Sequence, residues 1–220
     1  MFDLHSHSIL SDGELLPSEL ARRAEEMGLK GLVISDHVDA SNVDFVVPRL
    51  AEVSRQLSVA MKLIVKPGAE LTHIMPSELL GLVERARELG AELVLVHGET
   101  IVEPVVPGTN RAGIESGADI LTHPGLISEK DAALAAQLGV GLEISARKGH
   151  SLTNGHVAKV ARKTGAVLVF GSDSHAPGDL MDMARAEKVA MGAGLEPDEV
   201  RKLFTETERM FHGRKESLRR

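Results

Sequence analysis

The sequence predicts an α/β fold: a distorted seven-stranded (β/α)7 barrel of the TIM type, with a metal site at its C-terminal mouth. Three observations predict it. Short, wholly apolar runs alternate with helical stretches along the chain, as parallel strands covered on both faces require. A His, Asp or Glu stands at or just past nearly every apolar run: His5 and His7, His37, Glu70, His97, His123, Glu143, then Asp173 and His175. An open sheet gathers its site at one switch point, whereas ligands after all seven strands need a closed ring of strand ends.

The elements follow in order. Phe2–His5 is a short first strand, and Pro17–Gly28 is a helix opened by Pro and stopped by Gly. Gly31–Ser35 is a buried strand, Val43–Ala60 a helix with Pro48 near its start, and Lys62–Glu70 the third strand. Pro76–Gly90 is again a Pro-opened, Gly-closed helix. Glu92–His97 is the fourth strand, followed by a short helix near Asn110–Gly117. Asp119–His123 and Val140–Ser145 are strands flanking the helix Ser128–Gly139, and Asn154–Gly165 leads into the seventh strand, Ala166–Gly171. Helices over Asp179–Gly192 and Glu196–His212 complete the fold. One domain therefore spans 1–220: a barrel over about 1–178, helices over about 179–212, and a basic tail, 213–220. The tail's Arg214, Lys215, Arg219 and Arg220 read as solvated.

Side chains alternate along a strand. Asp3, His5 and His7 share a face, as do Leu93, Leu95 and His97. The same holds for Asp119, Leu121 and His123, for Glu143, Ser145 and Arg147, and for Val167, Val169, Gly171, Asp173 and His175. In each segment the metal-type residue lies at the strand's end, where a barrel mouth would be.

Composition narrows the chemistry. At 220 residues and 43% hydrophobic, the chain has material for one large core. No run approaches the ~20 apolar residues of a membrane span. The immediate start on a strand predicts no signal peptide, hence a cytoplasmic protein. Zero Cys excludes disulfides and thiolate sites, so metal ligands must be His, Asp and Glu, which suit Zn, Mn or Fe. A formal charge of −7, no Trp, no Tyr and five Phe argue against long nucleic acid as a partner.

His5-x-His7 turns two imidazoles into one pocket, and neutral imidazole is the commonest protein metal ligand. Glu70 follows an apolar strand, where a lone carboxylate is costly. Bridging two cations would explain it. Asp12, in Ser-Asp-Gly, fits a ligand and an ordinary turn equally well. Arg147, Arg111 and Lys148 are the cations near predicted strand ends, Arg147 foremost because it lies beyond Glu143 on the same strand face. His150 and Asn154 lie in the loop after the sixth strand. Asp3 is expected to accept from a ligating His. His73, Glu99 and Glu143 have no assigned role, and His156 and His212 read as helix-surface residues.

Together these motifs resemble the PHP family, named for polymerases and histidinol phosphatase. The matching residues are Asp3-x-His5-x-His7 with Ser11-Asp12-Gly13, His37 after Ser-Asp, Glu70, His97, His123-Pro124, and Ser172-Asp173-Ser174-His175. They run in family order over about four-fifths of the chain. The resemblance implies three divalent ions. One is held by His5, His7, Glu70 and Asp173, and a second by Glu70, His97 and His123. The third is held by His37, His175 and Asp12, where some relatives carry a His. It implies hydrolysis of a small metabolite's phosphate monoester, histidinol phosphate among the candidates, by a hydroxide activated between metals, with Glu70, Asp173 and His175 at the reacting centre. On that chemistry Arg147, whose guanidinium fork matches phosphate oxygens, then Arg111 and Lys148, are expected to face the phosphate, and His150 and Asn154 to read the leaving group. Alternatives are a phosphodiesterase or nuclease acting on short or cyclic nucleotides, amidohydrolase-type hydrolysis, and a metal-free scaffold like the ribonuclease P subunit of this fold. No Lys ends a strand to bridge metals in the amidohydrolase manner, and a scaffold would lose the ligands kept here. Oligomeric state is not legible.

Overall fold

Sixteen strands and helices follow one another in a computed structural model that describes residues 1–213, so the basic residues of the predicted tail beyond Gly213 lie outside the described residues. They are β1 (Phe2–Asp3), α1 (Pro17–Glu26), β2 (Gly31–Ile34), β3 (His37–Val38), α2 (Val43–Ala60), β4 (Ile64–Leu71), α3 (Leu79–Glu88), β5 (Leu93–His97), α4 (Thr109–Glu115), β6 (Ile120–Thr122), α5 (Glu129–Leu138), β7 (Gly141–Ser145), α6 (Asn154–Thr164), β8 (Leu168–Gly171), α7 (Met183–Gly192) and α8 (Pro197–His212). Every strand pairing is parallel, in the order β1-β2-β4-β5-β6-β7-β8 with β3 on β4. The seven-stranded ring predicted from sequence is thus present and nearly closed. Its seam joins β1 to the segment after β8, through Asp173 N–H to the His5 carbonyl at 2.9 Å and His7 N–H to the Ser174 carbonyl at 2.8 Å. No helix among the described residues is long and apolar enough to cross a membrane.

Two details depart from the sequence reading. The second strand is broken: Gly31–Ile34 pairs with the first half of β4, and His37–Val38 with the second half. Between them Ser35 N–H turns to the Ser6 carbonyl at 2.8 Å, and the Asp36 carboxylate accepts from Ser8 and Ser11. The break lets Asp36 tie down the first loop and re-aims His37. The last helical segment before α8 also starts later than Asp179. The Asp179 carboxylate accepts from His175 and Ala176 N–H, so Asp182 caps α7 instead.

Two apolar layers hold the barrel. The larger lies between the sheet and the helices, and a smaller cluster of Phe2, Leu4, Val33, Leu93, Leu95, Ile120 and Val169 is joined by Met210 and Phe211 of α8. α8 therefore plugs the N-terminal end of the ring. The fit there leaves no room at Gly31, where a Cβ would stand 2.5 Å from Phe2 and 2.6 Å from Phe211. Phe211→Ala is expected to cost about 3–5 kcal/mol. A denaturant midpoint within error of wild type would overturn the plug role.

Parity fails on β6. Ile120 joins the inner cluster, while Leu121 joins the outer layer. Asp119 serves the strand bottom, accepting from Val94 N–H and Arg87. Asp119, Leu121 and His123 therefore do not share an inward face. His123 reaches the mouth because its backbone takes a φ of +25°, which breaks the alternation.

Candidate metal centre

The strand ends bring His5, His7, Glu70, His97, His123, Asp173 and His175 into one buried mouth, joined by half-buried His37 and by Asp12 from the first loop. Four ligand atoms cluster tightly. His5 Nε2 lies 2.9 Å from His7 Nε2 and 3.2 Å from Glu70 Oε2. His7 Nε2 lies 3.6 Å from Glu70 Oε2 and 3.5 Å from Asp173 Oδ1. Ligands about 2.1 Å from a tetrahedral ion stand roughly 3.4 Å apart, so these spacings fit a shared cation. Glu70 divides its oxygens. Oε2 faces His5, His7 and His37 (2.9 Å to Nδ1), while Oε1 faces His123 Nε2 at 3.4 Å and accepts from Thr122 at 2.6 Å. Asp12 Oδ1 lies 3.2 Å from His175 Nε2 and 3.6 Å from His37 Nε2, with the His7 ring stacked 4.1 Å from that of His175. His97 departs from the expected grouping. Its ring centroid is 4.3 Å from that of His123, but its Nε2 faces Glu103, a loop residue, at 3.1 Å.

Hydrogen-bond bookkeeping says what this cluster lacks. Glu70 Oε2, Asp173 Oδ2, His7 Nδ1 and His123 Nδ1 are buried without a hydrogen-bond partner. Buried polar atoms are otherwise nearly always satisfied. His5 Nδ1 donates to Glu143 at 2.7 Å, which turns its Nε2 toward Glu70 and His7; burial lowers the pKa of this ring, but Glu70, Glu143 and Asp173 outweigh it and hold it well above the ordinary value, the mark of a position that gathers positive charge. Burial alone would push Glu70 up, but His5 and His37 hold its carboxyl well below the usual range. Buried carboxylates meeting imidazole lone pairs form a donor set for divalent cations, and the residues present fit such ions.

Several residues find roles that were not assigned or were assigned differently. Glu143 is the positioning carboxylate: it accepts from His5 Nδ1 and, at 2.9 Å, from the strained His123 N–H. Asp3 does not hold a ligand ring. Its Oδ1 accepts from Ser172 N–H at 2.9 Å and His5 N–H at 3.3 Å, bridging the seam, and burial pushes its carboxyl up to about 6. Glu99 accepts from Gly108 and Asn110 N–H at the start of α4. Asn154 is spent on both backbone groups of Ser145 and does not face a leaving group. Arg147 lines the mouth, 3.9 Å from Asp173 Oδ1. His150 lines it too, 5% exposed, its Nδ1 2.8 Å from Thr100 Oγ1, with burial pushing its pKa down to about 3. The structure does not bring Arg111 to the pocket: it pairs with Glu115 and Asp131 on the α4 surface. Lys148 is exposed and is not among the lining residues.

The PHP domain family matches residues 3–176. An uncharacterised protein of Methanocaldococcus jannaschii is 41% identical over 221 residues, covering 100% of this chain and 99% of its own. A probable phosphatase of Shewanella sp. ANA-3 is 40% identical over 104 residues, 38% of this chain and 41% of the relative. The 5'-3' exoribonuclease Rnm of Escherichia coli is 36% identical over 83 residues, 38% of this chain and only 26% of the relative. Among solved structures, a chain of archaeal ribonuclease P with mature tRNA superposes with a TM-score of 0.75 at 20% identity, covering 100% of this chain and 94% of that one, a likeness of fold. The chain belongs to the PHP domain family, and its chemistry is that of a metal-dependent phosphoesterase.

Proposed function

We propose that this protein hydrolyses the phosphate monoester of a small metabolite, using three divalent ions (Zn, Mn or Fe), in the cytoplasm. The observation that carries the reading is the mouth itself: a cavity of about 250 Å³ whose walls are ligand-type residues, with Arg147 the only Lys or Arg among the described lining residues. That volume lies below the usual span of small-molecule sites and suits a phosphoryl group with a compact leaving group. The −7 charge and the absence of Trp and Tyr disfavour a polymer track. Histidinol phosphate is one candidate substrate. The stretch shared with the exoribonuclease supports a second reading, cleavage of short or cyclic nucleotides.

Bound divalent ions supply Lewis acidity, lowering the pKa of a water and offsetting charge on phosphoryl oxygens. The chain's own residues do the rest. His5, His7, Glu70 and Asp173 would hold one ion, and Glu70 with His97 and His123, whose rings lie 4.3 Å apart, a second. Asp12, His37 and His175 would hold the third. Glu143 keeps His5 in the tautomer whose Nε2 faces the cavity. Arg147 offers a guanidinium to the phosphoryl oxygens.

Release of inorganic phosphate, after reconstitution with Mn, Zn or Fe(II), tests the reading. The panel holds small monoesters, histidinol phosphate and nucleotides among them, beside a diester and short oligonucleotides. Turnover of one monoester supports it, and cleavage of diesters alone replaces it with the second reading. Arg147→Ala is expected to raise KM about 10–100-fold, as the loss of a charge-assisted hydrogen bond implies, with kcat less affected. An unchanged KM would remove Arg147 from the phosphate.

A further inference from the structure

None of the described residues that line the mouth is apolar: its walls are imidazoles, carboxylates, Thr72 and Arg147. Such walls hold ions and a phosphoryl group but offer nothing to a carbon skeleton. Small-molecule sites ordinarily combine apolar walls with a few polar anchors. At about 250 Å³ the cavity encloses the phosphoryl end of an ester and little more, so part of the leaving group lies over the rim.

Three loops of that rim hold apolar side chains in the open. Ile101 and Val102 follow β5, Leu126 follows β6 and Leu152 follows β7, and they are 47–70% exposed. Each stands within three residues of a group that lines the mouth: Glu103, His123 or His150. The three loops are tied to one another through residues beside these four. Thr100 Oγ1 lies 2.8 Å from His150 Nδ1. The Asn110 side chain accepts from Glu99 N–H and donates to the Pro124 carbonyl, both at 2.9 Å. A Cβ on Gly125 would stand 1.8 Å from the Glu99 carbonyl oxygen, and one on Gly149 would meet Val102 Cγ2 at 3.4 Å. The loops therefore hold their apolar side chains together on one side of the mouth. Apolar residues scattered singly over a surface are ordinary. Grouped on tied loops at the C-terminal end of a barrel, where such folds build their sites, they mark a surface for a ligand.

We propose that Ile101, Val102, Leu126 and Leu152 form the specificity-determining wall of the substrate site and take an apolar leaving group, so that phosphate monoesters of apolar alcohols are preferred to those of polyols. Continuity with the lining residues makes the leaving group the occupant of this wall. The proposal rests on the reading of the mouth as a phosphomonoesterase site.

Two pairs of probes test it on the full chain loaded with Mn(II) or Zn(II). Benzyl phosphate and glycerol 3-phosphate are compared by phosphate release, and benzylphosphonate and methylphosphonate by calorimetric binding. Wild type is expected to favour the benzyl member of each pair by roughly 10-fold or more, the scale of discrimination that apolar contacts supply. In Ile101→Ser/Leu126→Ser/Leu152→Ser both preferences are expected to fall toward unity, with an unfolding midpoint near that of wild type because the side chains are exposed. A wild type that treats the members of either pair alike, or a variant that keeps the wild-type preference, would overturn the wall and leave the phosphatase reading standing. Gel filtration at the assay concentration identifies a competing occupant. A dimer that the variant dissociates, with the preferences unchanged, would give the wall to a second copy of the chain and sink the proposal. No phosphate release from any monoester would overturn the proposed function, and the wall with it.

Discussion

Glu70→Ala is expected to strip metal from the mouth and to lower phosphate release by ~10³-fold or more. The side chain is fully buried, and its two oxygens serve two groups of histidines, one holding His5, His7 and His37 and the other His123. Its removal leaves four imidazoles without their shared anion, and two cation positions lose a ligand together. A loss of ~4 kcal/mol in transition-state stabilisation corresponds to about three decades in rate. Glu70→Gln separates charge from shape, since it keeps the volume and the Thr122 contact but not the anion. Both variants are measured for metal content and for phosphate release. Full metal content with more than a tenth of wild-type turnover would show that Glu70 bridges nothing. The metal-free chain should lose stability as well, because His5 and His37 are left in the buried mouth without the carboxylate that pairs with them.

Gly171→Ala is expected to be a strongly damaging single-methyl change inside the barrel. A Cβ at this position would stand 2.0 Å from Glu143 Oε1 and 2.7 Å from the His5 Cβ. Neither neighbour is free to move, because Glu143 is held by His5 and by the His123 N–H, and all three are buried. Overpacking of a core costs about 1–3 kcal/mol, and the displaced hydrogen bonds add about 1–3 kcal/mol more. The expected result is a lower unfolding midpoint and weaker metal binding in the same protein. Glu143→Ala should do less harm in the Gly171→Ala background than in wild type, because the clash is then already relieved. Strict additivity of the two changes would separate Gly171 from Glu143 and overturn the argument.

The ring of strand ends was legible because parallel strands buried on both faces read as apolar runs, and a polar ligand just past such a run stands out. His5, His97 and Asp173 are visible for that reason. What escaped depends on backbone geometry or on loops. His123 comes to the mouth by a positive φ that strict alternation cannot foresee, so the face assigned to Leu121 and Asp119 was wrong. Glu143 sits mid-strand, and only the approach of His5 and His123 gives it work. Glu103 lies in a loop whose path is set by contacts, with Thr100 to His150 and Glu99 to Asn110, that no local pattern encodes. Arg111 looked available because it follows a strand, yet a helix face with Glu115 one turn on claims it.

The seam of the barrel has a consequence for the order of events as the chain folds. Ser172 and Asp3, which bond across it, are 169 residues apart, and the ligand pair His5 and His7 begins on one side of it while Asp173 arrives on the other. Contacts of such long range close late, because the entropy of a large loop must be overcome before they form. During synthesis the two N-terminal histidines therefore wait through seven strands for their carboxylate partner. The first cation position comes into being only when the ends of the ring meet, so metal capture reports the last step of folding rather than the first.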